Sequence, residues 1–243
     1  MSFIGILGQK KLCELNISEI DVTTNGYHLP FLASPLKKAG VGAVNVSLDA
    51  LEEQIFYSMS NHRNVSRVVK GIDAAVDAGL KVKINTVVMR GVNENQVLPL
   101  LEFAFARKLI IRYLELMKMG HLFGKTPDRI VFQDEILDLI GKKYQIRKLP
   151  REHSSTANQW EVPGHGVFGI VANESQPFCN DCDRLRLDSK GRLYGCISST
   201  KGLPVAEYVD KPDELRNLLA DVLQQKQPVR FQGSPMIMKN IGG

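Results

Sequence analysis

Three of the chain's four cysteines fall within one short stretch, Phe178 to Ile197, reading FCNDCDRLRLDSKGRLYGCI. Cys179, Cys182 and Cys196 have the spacing C-x2-C-x13-C. A C-x-x-C pair brings two thiolates within reach of one metal ion or cluster. Between the second and third cysteines, Ser-Lys-Gly reads as a turn joining two alternating runs, Leu185 and Leu187 before it, Leu193 and Tyr194 after it. A hairpin there would fold Cys196 back beside the C-x-x-C loop. Three thiolates are one short of a closed zinc site. They suit an iron–sulfur cluster with one iron left open to a ligand. Arg184 and Arg186 alternate onto one face of the first run, with Arg192 on the return. Guanidinium forks beside an open metal position suit a phosphorylated ligand. Two other readings stand beside this one: zinc with His165 or His153 as fourth ligand, and plain buried thiols.

Something must position that stretch. The first half of the chain alternates strand and helix. Helices are expected over residues 4–15, 32–39, 51–59, 65–78 and 96–107, and strands over 19–26, 42–49, 81–89 and 110–117. Such alternation predicts a parallel sheet covered by helices, doubly wound or a barrel. In barrels the C-terminal ends of the strands carry the site. Here those ends carry Thr23, Thr24 and Asn25, Ser47 and Asp49, Asn85 and Thr86 with Lys83 nearby, and Glu115 with Met117. Asn and Thr at strand ends also serve as turn and cap residues. Past Gly120 the pattern changes: a helix over 134–144, then strands over 145–149, 159–162 and 167–172 with no helices between them, expected to pair as an antiparallel layer. A last helix is expected over 213–226. The division drawn is residues 1–120 and 121–243.

The bulk properties are those of an ordinary soluble chain: 243 residues, 44% hydrophobic, 23% charged, net charge +5. No apolar run is long enough to span a membrane, and the order of the N-terminal apolar and basic residues is wrong for a secretory signal. A cytoplasmic location is expected, where a C-x-x-C is more often a metal site than a disulfide. The mild positive charge permits an anionic ligand without a basic block that would argue for nucleic acid.

Six blocks together resemble the GTP 3',8-cyclase family of molybdenum-cofactor biosynthesis, radical S-adenosylmethionine enzymes. They are Val22–Gly26 (VTTNG), Asn45–Asp49 (NVSLD), Lys81–Asn93 (KVKINTVVMRGVN), Arg112–Met117 (RYLELM), Phe178–Cys196 and the terminal Ile241–Gly243 (IGG), in family order. The resemblance implies an incomplete (β/α) barrel of the radical S-adenosylmethionine type, about four parallel units, followed by an antiparallel C-terminal region. It implies that a 5'-deoxyadenosyl radical takes a hydrogen from the ribose of GTP and that the ribose carbon then bonds to C8 of guanine. It makes Cys179, Cys182 and Cys196 ligands of a C-terminal 4Fe-4S cluster whose free iron meets the guanine. It places Thr23, Lys83, Arg184, Leu185 and Arg186 on GTP and Ser47 and Met117 on S-adenosylmethionine, and it sends the Gly242–Gly243 tail into the active site. The product would pass to a downstream molybdopterin-precursor synthase.

The departures matter as much. The family's N-terminal C-x3-C-x2-C, which holds the first cluster, is absent, and Cys13 is the only cysteine ahead of Cys179. The Gly-Gly-Glu-Pro stretch that grips S-adenosylmethionine is absent too. The first two strand–helix units are therefore expected to be missing, and this chain is expected to be inactive alone. The first remaining strand should leave an unpaired edge, relieved by a homodimer or a separate N-terminal segment. Asp183 and Ser198 replace the family's usual Asn and Phe. A non-catalytic iron–sulfur module binding a purine nucleotide, or a zinc-stabilised structural remnant, are the competing readings.

Overall fold

A computed structural model describes residues 17–125 and 128–241, apart from the Lys239 side chain. The expected helix over 4–15, Cys13, and the Gly242–Gly243 tail lie outside the described residues.

Four parallel strands come first: β1 (Asp21–Thr24), β2 (Ala43–Ser47), β3 (Lys81–Val88) and β4 (Ile110–Glu115). The connections carry α1 (Leu29–Lys38), α2 (Glu53–Ser60) with α3 (Val65–Asp77), and α4 (Val97–Ala106). Apolar spacing explains the helices. Val65, Val68, Ile72 and Ala75 share one face of α3, and Val97, Leu100, Leu101 and Ala104 one face of α4; all are buried. α1 starts three residues before its expected position because Pro30 lies in its first turn, where a missing N–H costs no hydrogen bond. Gly71 lets α3 approach the turn ahead of α1, since a Cβ there would lie 2.5 Å from the Gly26 carbonyl oxygen.

After α5 (Gln133–Gly141) come β5 (Arg147–Lys148), β6 (Asn158–Val162) and β7 (Gly166–Val171). The sheet order is β1-β2-β3-β4-β7-β6-β5. β5, β6 and β7 pair antiparallel with one another, as the sequence predicts; in addition β7 lies parallel to β4, so these strands extend the same sheet. Val167, Phe168 and Ile170 carry no mark that distinguishes such a partner; the pairing is set at long range. Trp160 stacks on Phe168, and both are buried.

One face of this sheet is dry. Val44, Val46, Leu48, Ile84, Val88, Ile111, Tyr113, Phe168 and Ile170 are all buried against the helices. The other face is polar and open. β1 is the end strand among the described residues, and its open face carries Asp21 and Thr23, both exposed, rather than apolar side chains.

The remainder is small. β8 (Arg186–Leu187), β9 (Arg192–Tyr194) and β10 (Leu203–Pro204) form a three-stranded antiparallel sheet, and α6 (Pro212–Leu223) follows. The chain then returns to the end of β4, where Ser234 bridges Met119 and exchanges backbone hydrogen bonds with Lys118 and Gly120. Among the described residues no helix is long and apolar enough to cross a membrane.

Candidate functional site

The open face of the sheet is built in rows. Thr23, Asn45 and Lys83 stand side by side across β1, β2 and β3. One step along, Ser47, Asn85 and Arg112 stand side by side across β2, β3 and β4. Arg112 ties the rows together, donating to Asn85 Oδ1 at 2.8 Å and to Asn45 Oδ1 at 2.7 Å. It has no carboxylate within salt-bridge reach among the described residues, and burial pulls its pKa down. Gly169, opposite Arg112 on β7, lies 3.3 Å from the Arg112 side chain at its Cβ position, so only a small residue fits there. Sequence reasoning overlooked Arg112 and Asn45 as site residues; a lone arginine inside the apolar run IIRYLE was the signal.

Several strand-end residues turn out to be structural. Thr24 Oγ1 accepts from Gly26 N–H and Asn25 Oδ1 from Tyr27 N–H, as turn residues do. Thr86 donates to the Leu48 carbonyl. Glu115, expected to face the site, is 1% exposed. Its carboxylate instead accepts from the backbone of Gln133, Glu174 and Ser175, tying the start of α5 to the loop after β7. Met117 lies half-buried in the loop beyond β4. A cavity of about 340 Å³ opens at the ends of β1 and β2, lined by Ser47 and Asp49 with Asn25, Tyr27, His28 and His62 among others.

The cysteine stretch folds as a hairpin. Asp188 makes its turn: Lys190 N–H and Arg192 N–H donate to Asp188 Oδ1, and Gly191 takes a φ of +71°. Arg186 stands opposite Tyr194 and Leu187 opposite Leu193. Arg192 faces Asp188 at 2.8 Å, so this guanidinium belongs to the turn and not to the sulfurs. The alternation along the first strand is the reverse of a core hairpin. Leu185 and Leu187 are 38% and 55% exposed, while Arg184 and Arg186 turn inward. Leu185 thus points away from the arginines, leaving its backbone as what it offers the site.

Inside lie the sulfurs. Cys179, Cys182 and Cys196 are free and half-buried. Burial pushes the Cys179 thiol pKa up, with the neighbouring Cys196 and Cys182 adding to it. Ser198 N–H points at Cys196 Sγ from 3.4 Å. Arg184 donates one arm to the Ser154 carbonyl and lies 5.1 Å over the Phe178 ring, but its second terminal nitrogen is buried without a partner. Arg186 has no carboxylate partner among the described residues, and burial lowers its pKa. The hydroxyls of Ser198 and Ser199 are buried and unpartnered as well. The loop is braced by Arg151, whose guanidinium grips both oxygens of Asp181 at 2.8 Å, a pair that sequence reasoning did not single out. Asp183 accepts from the Ser154 hydroxyl.

Unpaired donors around three thiols fit an anionic, open-cornered cluster. Among the described residues no three His, Cys, Asp or Glu side chains, these cysteines included, converge on a single-ion position. His165 packs against the rings of Phe105 and Tyr144.

Residues 109–231, about half of the chain, match the family described as Molybdenum Cofactor Synthesis C. The chain belongs to that family. Ahead of it, residues 6–104 match the Radical SAM superfamily. Curated relatives agree. A GTP 3',8-cyclase of Nautilia profundicola is 38% identical over 78% of this chain and 58% of its own length. Those of a Sulfurovum species and Staphylococcus carnosus are 35% and 36% identical, over 86% and 79% of this chain and 64% and 58% of theirs. The chain thus spans roughly three-fifths of the length of these relatives. Among solved structures, two of Streptococcus suis SuiB share the fold. One gives a TM-score of 0.56 at 15% identity over 85% of this chain and 50% of that one. The other, bound to S-adenosylmethionine, gives 0.53 at 16% identity over 82% and 48%.

Proposed function

We propose that this chain supplies the GTP-holding part of a GTP 3',8-cyclase in molybdenum-cofactor synthesis. In this reading Cys179, Cys182 and Cys196 hold a 4Fe-4S cluster, which when bound supplies a Lewis-acidic iron for the purine. Arg184 and Arg186 hold the nucleotide beside it, with the Leu185 backbone between them. Thr23 and Lys83 contact the same GTP from the open sheet face, and Ser47 and Met117 are assigned to S-adenosylmethionine. Arg112 keeps Asn45 and Asn85 in place between those two rows. Gly242 and Gly243 form the tail toward the site.

The observation that supports this best is the pair of inward guanidiniums. A buried cation without a counter-charge costs several kcal/mol, on the order of the breaking of a buried ion pair. Among the described residues, Arg184 with an unpartnered buried nitrogen and Arg186 without an acid, side by side against three thiols, point to a missing anion. A triphosphate fits that description.

A second reading has its own support. A non-catalytic iron–sulfur module that binds a purine nucleotide uses the same features of the hairpin, the three thiols and the two inward guanidiniums. One experiment tests both. Anaerobic reconstitution is expected to give a chain carrying iron and sulfide, whose reduced cluster changes its electron paramagnetic resonance signal when GTP is added. 5'-Deoxyadenosine is expected to stay at background with this polypeptide alone. Iron without a response to GTP sinks both readings. Product formation on adding a polypeptide that bears the C-x3-C-x2-C motif selects the first.

A further inference from the structure

α6 ends in a segment that touches the cysteine loops. Its last turn packs against the backbone of Gly195, where a Cβ would stand 1.9 Å from the Val222 carbonyl oxygen. Two residues on, the Gln225 side chain accepts from Gly195 N–H at 3.1 Å and donates to the Lys201 carbonyl at 3.3 Å. The chain is thereby pinned to the residue before Cys196. Lys226 then turns into the cysteine loops. Its Nζ lies 3.6 Å from Cys182 Sγ and donates to the Arg184 carbonyl oxygen. Among the described residues Lys226 has no carboxylate within salt-bridge reach. Its charge meets sulfur, and the same nitrogen fixes the backbone that links Cys182 to the two inward arginines.

We propose that Lys226 is a positioning residue that sets the reduction potential of the cluster held by Cys179, Cys182 and Cys196. The inference rests on the proposed cluster and goes beyond it. One-electron reduction adds a negative charge to the cluster and its thiolates. An ammonium donating to one of those sulfurs stabilises the reduced form more than the oxidised form, so the potential rises. The Ser198 N–H at Cys196 does the same without a full charge and is the weaker of the two. The remaining thiolate, Cys179, has no such donor among the described residues, so the field at the three sulfurs is lopsided toward Cys182.

The test compares the full chain with Lys226→Met and Lys226→Arg, each reconstituted anaerobically. With four cysteines in the chain, one cluster signal is expected. Iron and sulfide content, and the midpoint from a dye-mediated redox titration followed by electron paramagnetic resonance, are read for each. Lys226→Met is expected to hold the same iron and to need a potential lower by about 59 mV, a tenfold change in the reduced-to-oxidised ratio for one electron. Lys226→Arg, which keeps charge and donors, is expected to restore most of that shift. Equal midpoints for wild type and Lys226→Met overturn the proposal. Should Lys226→Met lose its iron, Lys226→Gln keeps an N–H without the charge and must show a fall in the same direction, smaller than the full shift of about 59 mV. Loss of iron from both neutral variants, with Lys226→Arg loaded, overturns it too, since Lys226 would then serve assembly. A wild-type chain that carries no iron fails one step earlier and removes the cluster itself.

Discussion

The arginine pair gives the sharpest prediction at the scale of single residues. Arg186 is inward, lacks an acid among the described residues, and has its pKa lowered by burial, an arrangement that makes little sense without an anionic guest. Arg186→Ala is expected to leave iron and sulfide loading at the wild-type level. GTP binding to the reconstituted chain should weaken by about ten- to a hundredfold, since a hydrogen bond to a charged group contributes roughly 1.5–3 kcal/mol and each 1.4 kcal/mol is tenfold. Arg186→Lys should recover only part of that, because a point charge replaces a planar fork. Calorimetric titration under nitrogen measures all three. Unchanged GTP affinity in Arg186→Ala would remove Arg186 from the site. Leu185→Ala should matter far less, since that side chain is 38% exposed and faces away from the arginines.

At the scale of elements, local pattern made much of the molecule legible. The strand–helix alternation from Asp21 to Glu115, the apolar stripes of α3 and α4, and the Asp188 turn follow from spacing and turn chemistry, and the structure has them within a few residues of where the sequence puts them. The parallel pairing of β7 with β4 was not legible, because a six-residue apolar strand states what it buries and not whom it pairs with. The site divides in the same way. The three cysteines and two arginines announce themselves, whereas Arg151, Arg112 and Lys226 gain meaning only from distant partners. Gly195 belongs to this second group. No turn requires a glycine there; the close approach of α6 does. Gly195→Ala is expected to push the Val222 turn off the hairpin, costing about 1–3 kcal/mol as other overpacked contacts do. The Gln225 bond to Gly195 would go with it. Urea unfolding should show the loss of stability, and reconstituted chain should release iron to a chelator faster than wild type. An unaltered unfolding midpoint together with wild-type iron release would show that α6 does not hold the cysteine loops.

At the scale of the whole molecule, one carboxyl couples stability to pH near neutrality. Asp49 stands where β2 ends beside β3; its Oδ1 accepts from Val87 N–H at 2.8 Å, and Asn93 donates to its backbone carbonyl at 2.8 Å. Burial raises its pKa from 3.8 to about 6, outweighing the Val87 hydrogen bond. Folding therefore favours the protonated form. The stabilising contribution is complete below about 3.8, declines as pH rises, and is lost above about 6. Asp181 works in the opposite sense: the Arg151 guanidinium and then Ser154 N–H hold its pKa below 3.8, so its contribution is present above that value and disappears only in stronger acid. The two windows do not overlap, and the stretch between pH 4 and 7 isolates Asp49 from Asp181. Asp49→Asn keeps an oxygen for Val87 N–H and is neutral at every pH. Relative to wild type it should gain stability on the order of 2–3 kcal/mol between pH 4 and pH 7, at about 1.4 kcal/mol per pKa unit. Hydrogen exchange of the β2 and β3 amides, which open only with the sheet, measures this on the intact chain when the two proteins are compared at each pH. A difference between them that stays constant across that range would mean that Asp49 is ionised in the folded protein throughout, and that the end of β2 is wetter than its burial implies.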